Sequence, residues 1–464
     1  MVKLNKVSKM FVFFIIYICI LIILFNFKEI NSNLMIIAWI CNITFLIYII
    51  YTTRIKGSWL NTNNIFMTFV FLFCYGQIFL FSIGIDMTKS LIFVSNTETE
   101  IIRVTTYFLF SFIFFGMGFN LISSNYDYSY KISKNYNETI KKVAFFIFIT
   151  SGILFLYFNI PKIILASAKG YNTLYDEHSI GTPNLLGYYS NFFIPSLLLL
   201  IYTYKENRLM RNVYMLIAIF AAFLLLIIGS RGISISIFVM LIFFYGKYIK
   251  EYTKKDIIKL LGLFLIVSII IPFVANFRSN RDNEIKYTLS NVLDNNPVIQ
   301  TISELGATMN AWCLTDKVVP SVQNYSYGSS YLASVGMLIP SFALGGTSFA
   351  NYAALDTWLQ DICEMSYGPG FNIFAETYYN FGWHFGIVFA FFLGYFFGKI
   401  FNIKSKNKDK NALLSVLSII FLYNELLIAR YPFHNTLRNF IYMYVIIYFI
   451  INTIHRSKNK LLEN

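Results

Sequence analysis

The sequence predicts an all-α integral membrane protein, a polytopic bundle of about 12 transmembrane helices with one large extracytoplasmic loop. Three observations predict it. The first is composition. Of 464 residues, 57% are hydrophobic, 19% aromatic and 13% charged, and the mean hydropathy is +0.60. A soluble chain carries roughly twice that charged fraction. The second is recurrence, because apolar runs long enough to cross about 30 Å of hydrocarbon as helices appear along the whole chain. The third is charge sorting. With a cytoplasmic N-terminus, 25 of the 37 Lys and Arg fall in the cytoplasmic segments, as the positive-inside rule requires.

The spans are read at 10–27, 34–52, 65–85, 101–122, 143–160, 186–204, 211–228, 232–248, 257–275, 375–398, 412–429 and 438–453. The first follows Lys3, Lys6 and Lys9 and resembles a signal peptide. Its run of about 18 residues is longer than a typical signal core, and no small-x-small site follows, so it is read as an uncleaved span. The second ends at Arg54 and Lys56. Lys131 to Lys142 precede the fifth span; Lys205, Arg208 and Arg211 separate the sixth from the seventh. Lys247 to Lys259 follow the eighth, Lys399 to Lys410 the tenth, and Arg456, Lys458 and Lys460 the twelfth. An even count puts both termini in the cytoplasm. No repeat is visible along the chain.

The division is then 1–275 for spans one to nine, 276–374 for the large extracytoplasmic loop, and 375–464 for the last three spans. A structureless loop of that length is improbable, so it is expected to fold over the membrane mouth. Gly336 to Leu344 would lie in or dip into the interface, and Gly368-Pro369-Gly370 would turn the chain into the tenth span. A shorter polar segment covers about 161–185 and holds His178 beside Asp176 and Glu177. Cys313 and Cys363 share the large loop, where a disulfide is an open expectation. There is no CxxC, no HExxH and no clustered His/Cys set, so neither metal nor cofactor is expected. Nucleic-acid binding is excluded because the basic residues lie in short, separated segments.

Lysines divide 21 inside to 6 outside, whereas arginines divide 4 to 6. The outer arginines are Arg103, Arg231, Arg278, Arg281, Arg430 and Arg438. They oppose the topology signal, and a planar, permanent fork suits phosphate. Arg231 sits in the tight turn Gly229-Ser230-Arg231-Gly232, either snorkelling to headgroups or fixed as a phosphate donor. Arg278 and Arg281 form either a pyrophosphate clamp or a surface ion pair with Asp282. Asn372, Glu376, Asn380 and His384 recur every four residues on one face of the tenth span. A carboxylate there needs a cavity or a partner; outer arginines are within reach. His384 reads as a packing residue. Glu425, Arg430, His434 and Arg438 gather around the last outer hairpin, where Pro432 makes helical spacing unsafe and His434 titrates in the range useful for proton transfer. Arg103 reads as a helix-end ion pair with Glu100.

Together these features resemble the Wzy-type polymerases of O-antigen and capsule repeat units. The resemblance rests on the many spans, the large late loop and the Gly229-to-Gly232 hairpin. It rests also on Phe374-Ala375-Glu376-Thr377-Tyr378-Tyr379-Asn380-Phe381-Gly382 opening the span after that loop, and on the arginine-bearing final hairpin. It implies a metal-independent glycosyltransferase of the bacterial cytoplasmic membrane. The growing glycan, carried on undecaprenyl pyrophosphate, would pass to the terminal sugar of a new lipid-linked repeat unit, with a chain-length regulator as a further partner. The related ligases are similar in helical fold and use outer arginines with a loop histidine. Here 276–374 holds no histidine, so Glu376 or His434 is the base available. Arg231, Arg278, Arg281, Arg430 and Arg438 are assigned to the pyrophosphate donor, and Asn380 to substrate binding, pyrophosphate or glycan.

A flippase is the rival from another class, but it needs a polar path through the bundle, and here the polar residues gather at one face. A ligase is the nearer rival, and the missing loop histidine leans away from it. A sensor or scaffold lacks a partner domain.

Overall fold

In a computed structural model the described residues are 6–28, 32–122, 132–169, 185–253, 255–256, 296–339, 349–365, 368–426 and 429–463. Every regular element among them is a helix. Among the described residues nine helices are long and apolar enough to cross a membrane: Val7–Leu24, Leu34–Lys56, Thr62–Ser82, Glu98–Leu121, Lys134–Leu165, Leu186–Thr203, Arg208–Ile228, Ile373–Ile400 and Phe433–Lys460. Three expected spans are missing from that set. Gly232–Tyr248 is apolar but shorter. The run at 412–429 falls on the helix Lys408–Glu425, whose first turn carries Lys408, Asp409 and Lys410. The run at 257–275 lies outside the described residues.

Two sequence expectations change here. The helix Lys134–Lys169 continues through Pro161, so residues 161–169 of the polar segment expected at 161–185 are helical, and 170–184 lie outside the described residues. Apolar Ile160, Ile163, Ile164 and Leu165 carry the helix on past the one hydrogen bond that proline forfeits. Within the expected large loop, the helices Pro297–Gly306, Met309–Val318, Ser329–Gly336, Ala350–Ala353 and Leu355–Ile362 are formed. Cys313 and Cys363 are free thiols. Cys313 is buried beside Trp312, and burial pushes its thiol up to about 12.

The chain forms two compact units. One comprises residues 1–126, 302–403 and 425–438, and the other 127–301, 404–424 and 439–464.

In the first unit the helices Glu98–Leu121 and Ile373–Ile400 touch backbone to backbone. A Cβ on Gly118 would lie 2.0 Å from the Phe391 carbonyl oxygen, and one on Gly394 would lie 2.0 Å from that of Phe115. Only glycine fits, the small-residue device of membrane helices. Phe66, Phe115, Phe119 and Phe397 fill the remaining contact. A second glycine crossing, Gly76 against Gly306, joins Thr62–Ser82 to the chain leaving 302. There Gln77 Nε2 donates to the Ser303 carbonyl at 2.9 Å.

The second unit packs Lys134–Lys169 with Phe193–Thr203 and Arg208–Ile228. Ser133 is held by Asp409 through its N–H and its hydroxyl, both at 2.7 Å. The hairpin expected at Gly229 is present. Gly229 caps the helix Arg208–Ile228 at φ 94, and Arg231 opens the helix ending at Tyr248. Gly232 lies inside that helix, so only the first glycine uses the left-handed region.

Candidate functional site

The first unit places Glu376, Asn380, Arg430, His434 and Arg438 together with residues the sequence did not single out. The helix Ile373–Ile400 starts at Asn372, whose side-chain oxygen accepts the N–H groups of Phe374 and Ala375 at 2.8 and 3.4 Å. This is a local N-cap. Gly370, at φ 70, allows the preceding chain to lie against Arg430. The Phe371 N–H donates to the Arg430 carbonyl at 2.8 Å. The glycine turn read from the sequence thus docks the start of this helix on the final hairpin.

Glu376 is 1% exposed. Its Oε1 accepts the Ser330 hydroxyl at 2.8 Å, and its Oε2 accepts the Phe433 N–H at 2.7 Å. The sequence expected outer arginines as partners. Among the described residues none bonds it, and neutral donors satisfy the carboxylate instead. Phe433 is the first residue of the helix Phe433–Asn439, where an unpaired N–H is available and negative charge is favoured. Pro432 ends the preceding turn, so Arg430 and His434 do not share a helical face.

Asn380 is wholly buried, and its amide is committed inside the protein. Nδ2 donates to Ser330 Oγ and to the Glu376 carbonyl, both at 2.8 Å, and Oδ1 accepts the Gly328 N–H at 3.0 Å. Two residues later Gly382 breaks the helix at φ 69, ψ −164. The carbonyls that the break releases are satisfied from the neighbouring loop. Ser326 N–H donates to Tyr379 O at 3.1 Å, and Tyr327 N–H to Asn380 O at 2.9 Å. The four-residue stripe read from the sequence therefore ends at Asn380. His384, beyond the break, is exposed rather than packed.

His434 is 7% exposed. Its Nδ1 lies 3.0 Å from the Ala353 carbonyl oxygen. A carbonyl only accepts, so Nδ1 carries a proton, and in the neutral ring Nε2 then holds the lone pair. Among the described residues nothing is bonded to Nε2. Asp356 and Arg438 bear on the imidazole electrostatically, and Asp356 bears on Glu376 as well. Arg438 also binds Asn435 Oδ1. Arg430 is exposed, its stem against Gly370. The Tyr331 ring packs edge-on to Phe433 at 5.2 Å, and its hydroxyl is buried with no partner among the described residues.

Ser330 and Asp356 are the residues the sequence reading missed. Ser330 lies 46 positions from its partner, and no local pattern marks it. Asp356 lies in the first turn of the helix Leu355–Ile362, where an acidic residue reads as ordinary helix-start chemistry. Arg103 is corrected. It pairs with Asp316 at 3.3 Å, while Glu100 pairs with Lys317 at 3.2 Å and caps its own helix through Thr97. That cap turns Glu100 toward the helix start. Arg231 belongs to the second unit, and Arg278 and Arg281 lie outside the described residues. Among the described residues no three His, Cys, Asp or Glu side chains converge as a metal site.

The geometry thus offers a basic imidazole nitrogen, a buried hydrogen-bonded carboxylate and two guanidinium groups on one short hairpin. That set suits transfer chemistry on an anionic leaving group. No curated protein and no solved structure matches the chain. A family model described as O-antigen polysaccharide polymerase Wzy matches residues 9–460. A match over nearly the whole length, on a membrane-spanning helical chain, makes this protein a member of the O-antigen polysaccharide polymerase Wzy family.

Proposed function

We propose that the protein joins undecaprenyl-pyrophosphate-linked repeat units at the outer face of the bacterial cytoplasmic membrane, with both termini in the cytoplasm. The family membership supports polymerisation. The lone pair of His434 Nε2, fixed by the Nδ1 bond to Ala353, is the observation that carries the mechanism. A hydroxyl of the incoming repeat unit attacks the anomeric carbon of the growing glycan and passes its proton to His434 Nε2. The anomeric carbon–oxygen bond to pyrophosphate breaks, and undecaprenyl pyrophosphate leaves with that electron pair. Arg430 and Arg438 stabilise the charge that develops on the leaving group, and no metal takes part. Glu376 holds the N-terminus of the His434 helix, and Asn380 holds Ser330 against Glu376, so both are positioning residues.

The test deletes the gene and separates the surface glycan on a gel. A ladder reduced to a single repeat supports polymerase. Long polymer stranded on its lipid carrier means ligase, and no repeat outside the membrane means flippase. The His434→Asn variant keeps a donor for the Ala353 carbonyl but removes the base. It is expected to lower chain extension by about 100-fold or more at unchanged protein level. A normal ladder from that variant overturns the assignment of His434.

A further inference from the structure

The helix Ser329–Gly336 is built inside out. Successive residues on a helix turn by about 100°. Ser330 and Ser334 therefore share one face with Ala333 alongside, and all three are buried. Ser330 bonds Glu376 and Asn380, and Ser334 Oγ bonds the Ser330 carbonyl at 2.7 Å. Leu332 and Val335 fall on the opposite face and are 75% and 55% exposed, and Ile339, just past the end of the helix, is 48% exposed. Polar groups point in and apolar groups point out. In water this arrangement forfeits the burial that holds a short helix in place. In hydrocarbon it is the favourable orientation.

The same face continues onto a membrane span. Tyr331 packs on Phe381 and on Phe389 of Ile373–Ile400, the latter at 4.9 Å. Next to them on that span Phe385, Val388 and Phe392 are exposed. In a chain that spans the membrane, such a face of a span meets lipid. Phe349 extends the surface over Gly336, where a Cβ would lie 2.5 Å from its ring. At eight residues, or about 12 Å, the helix is too short to cross.

We propose that Ser329–Gly336 is a re-entrant helix immersed in the bilayer, with Leu332, Val335 and Ile339 against lipid hydrocarbon chains. Its serine face then walls Glu376 off from lipid. In the reaction proposed above, a lipid-linked donor reaches the hairpin along this wall. The immersion itself needs only the membrane-spanning chain, so it and the reaction can fail separately.

The experiment places a nitroxide at L332C, V335C and, as a water-exposed control, K406C. The background is the full chain with Cys19 and Cys363 replaced by serine, because the other three thiols are buried. The proteins are reconstituted in lipid nanodiscs, and relaxation by oxygen is compared with relaxation by a water-soluble nickel chelate. Oxygen is expected to dominate at 332 and 335, and nickel at 406. Nickel dominance at either 332 or 335 overturns the proposal in favour of a solvated helix. Exclusion of both relaxants also overturns it, in favour of a protein partner or second copy on this face. Neither reading depends on polymerase activity.

Discussion

The two halves of Ile373–Ile400 are one element by length and two by chemistry. Before Gly382 every residue from Ile373 to Asn380 is buried, and the chemistry-bearing groups there are hydrogen-bonded. After it, glycines 386, 394 and 398 admit neighbouring atoms, while Phe385, Val388 and Phe392 stand exposed. The first half spends its sequence on satisfying a buried carboxylate. The second spends it on close approach to Glu98–Leu121 and on an apolar exterior. Polar residues in a span are costly unless partnered, and the break at Gly382 is what frees the two carbonyls that fix the partner loop.

The comparison breaks most visibly at Glu376. Glu376→Ala leaves the Ser330 hydroxyl and the Phe433 N–H buried without an acceptor. Each such loss costs about 1–3 kcal/mol, and the His434 helix loses its anchor. Glu376→Gln keeps one acceptor oxygen. Chain extension and unfolding temperature should both fall in the order wild type, Glu376→Gln, Glu376→Ala. An alanine variant with a normal ladder and normal stability removes Glu376 from the site.

A change in the second half should act on folding alone. Gly394→Ala drives a methyl into the Phe115 carbonyl, and overpacking of this kind costs about 1–3 kcal/mol. The variant is expected to give less folded protein, with activity per folded molecule unchanged. If activity per molecule collapses while yield holds, the two halves are not chemically separate.

What the sequence disclosed follows from range. Hydropathy, the Gly229 turn and the Gly370 turn are local patterns, and each has its counterpart in the structure. Glu376, Asn380 and His434 were visible because polar groups among apolar spans stand out. Their partners were not. The Phe433 N–H lies 57 positions from Glu376, and Asp316 lies 213 positions after Arg103. Nor was the break at Gly382 readable, because the loop donors of Ser326 and Tyr327 and the Tyr325 ring, 2.9 Å from a would-be Cβ, set that backbone from outside the helix.

The smallest expected effect sharpens that point at the Arg103–Asp316 pair. Burial raises the Asp316 carboxyl above its ordinary value, and the Tyr378 hydroxyl and Arg103 only partly oppose this, with Glu100 adding to the rise. The ion pair and the upward shift pull in opposite senses; burial wins because the Arg103 side chain is 53% exposed and that of Asp316 only 9%. A carboxyl with a raised native pKa binds its proton more tightly folded than unfolded. Its contribution to stability is therefore complete below the ordinary carboxylate range and is lost as pH climbs through the raised value. Arg103→Gln removes one opposing charge, so the native value rises further and the loss deepens. Because the arginine is half exposed, the change should stay under about 1 kcal/mol. Unfolding temperatures of the variant and the wild type should agree at about pH 5 more closely than at about pH 8. An equal gap at both would mean that Arg103 acts through its contacts with Trp383, 5.8 Å away, and with the Tyr378 hydroxyl, and not through its pairing with Asp316.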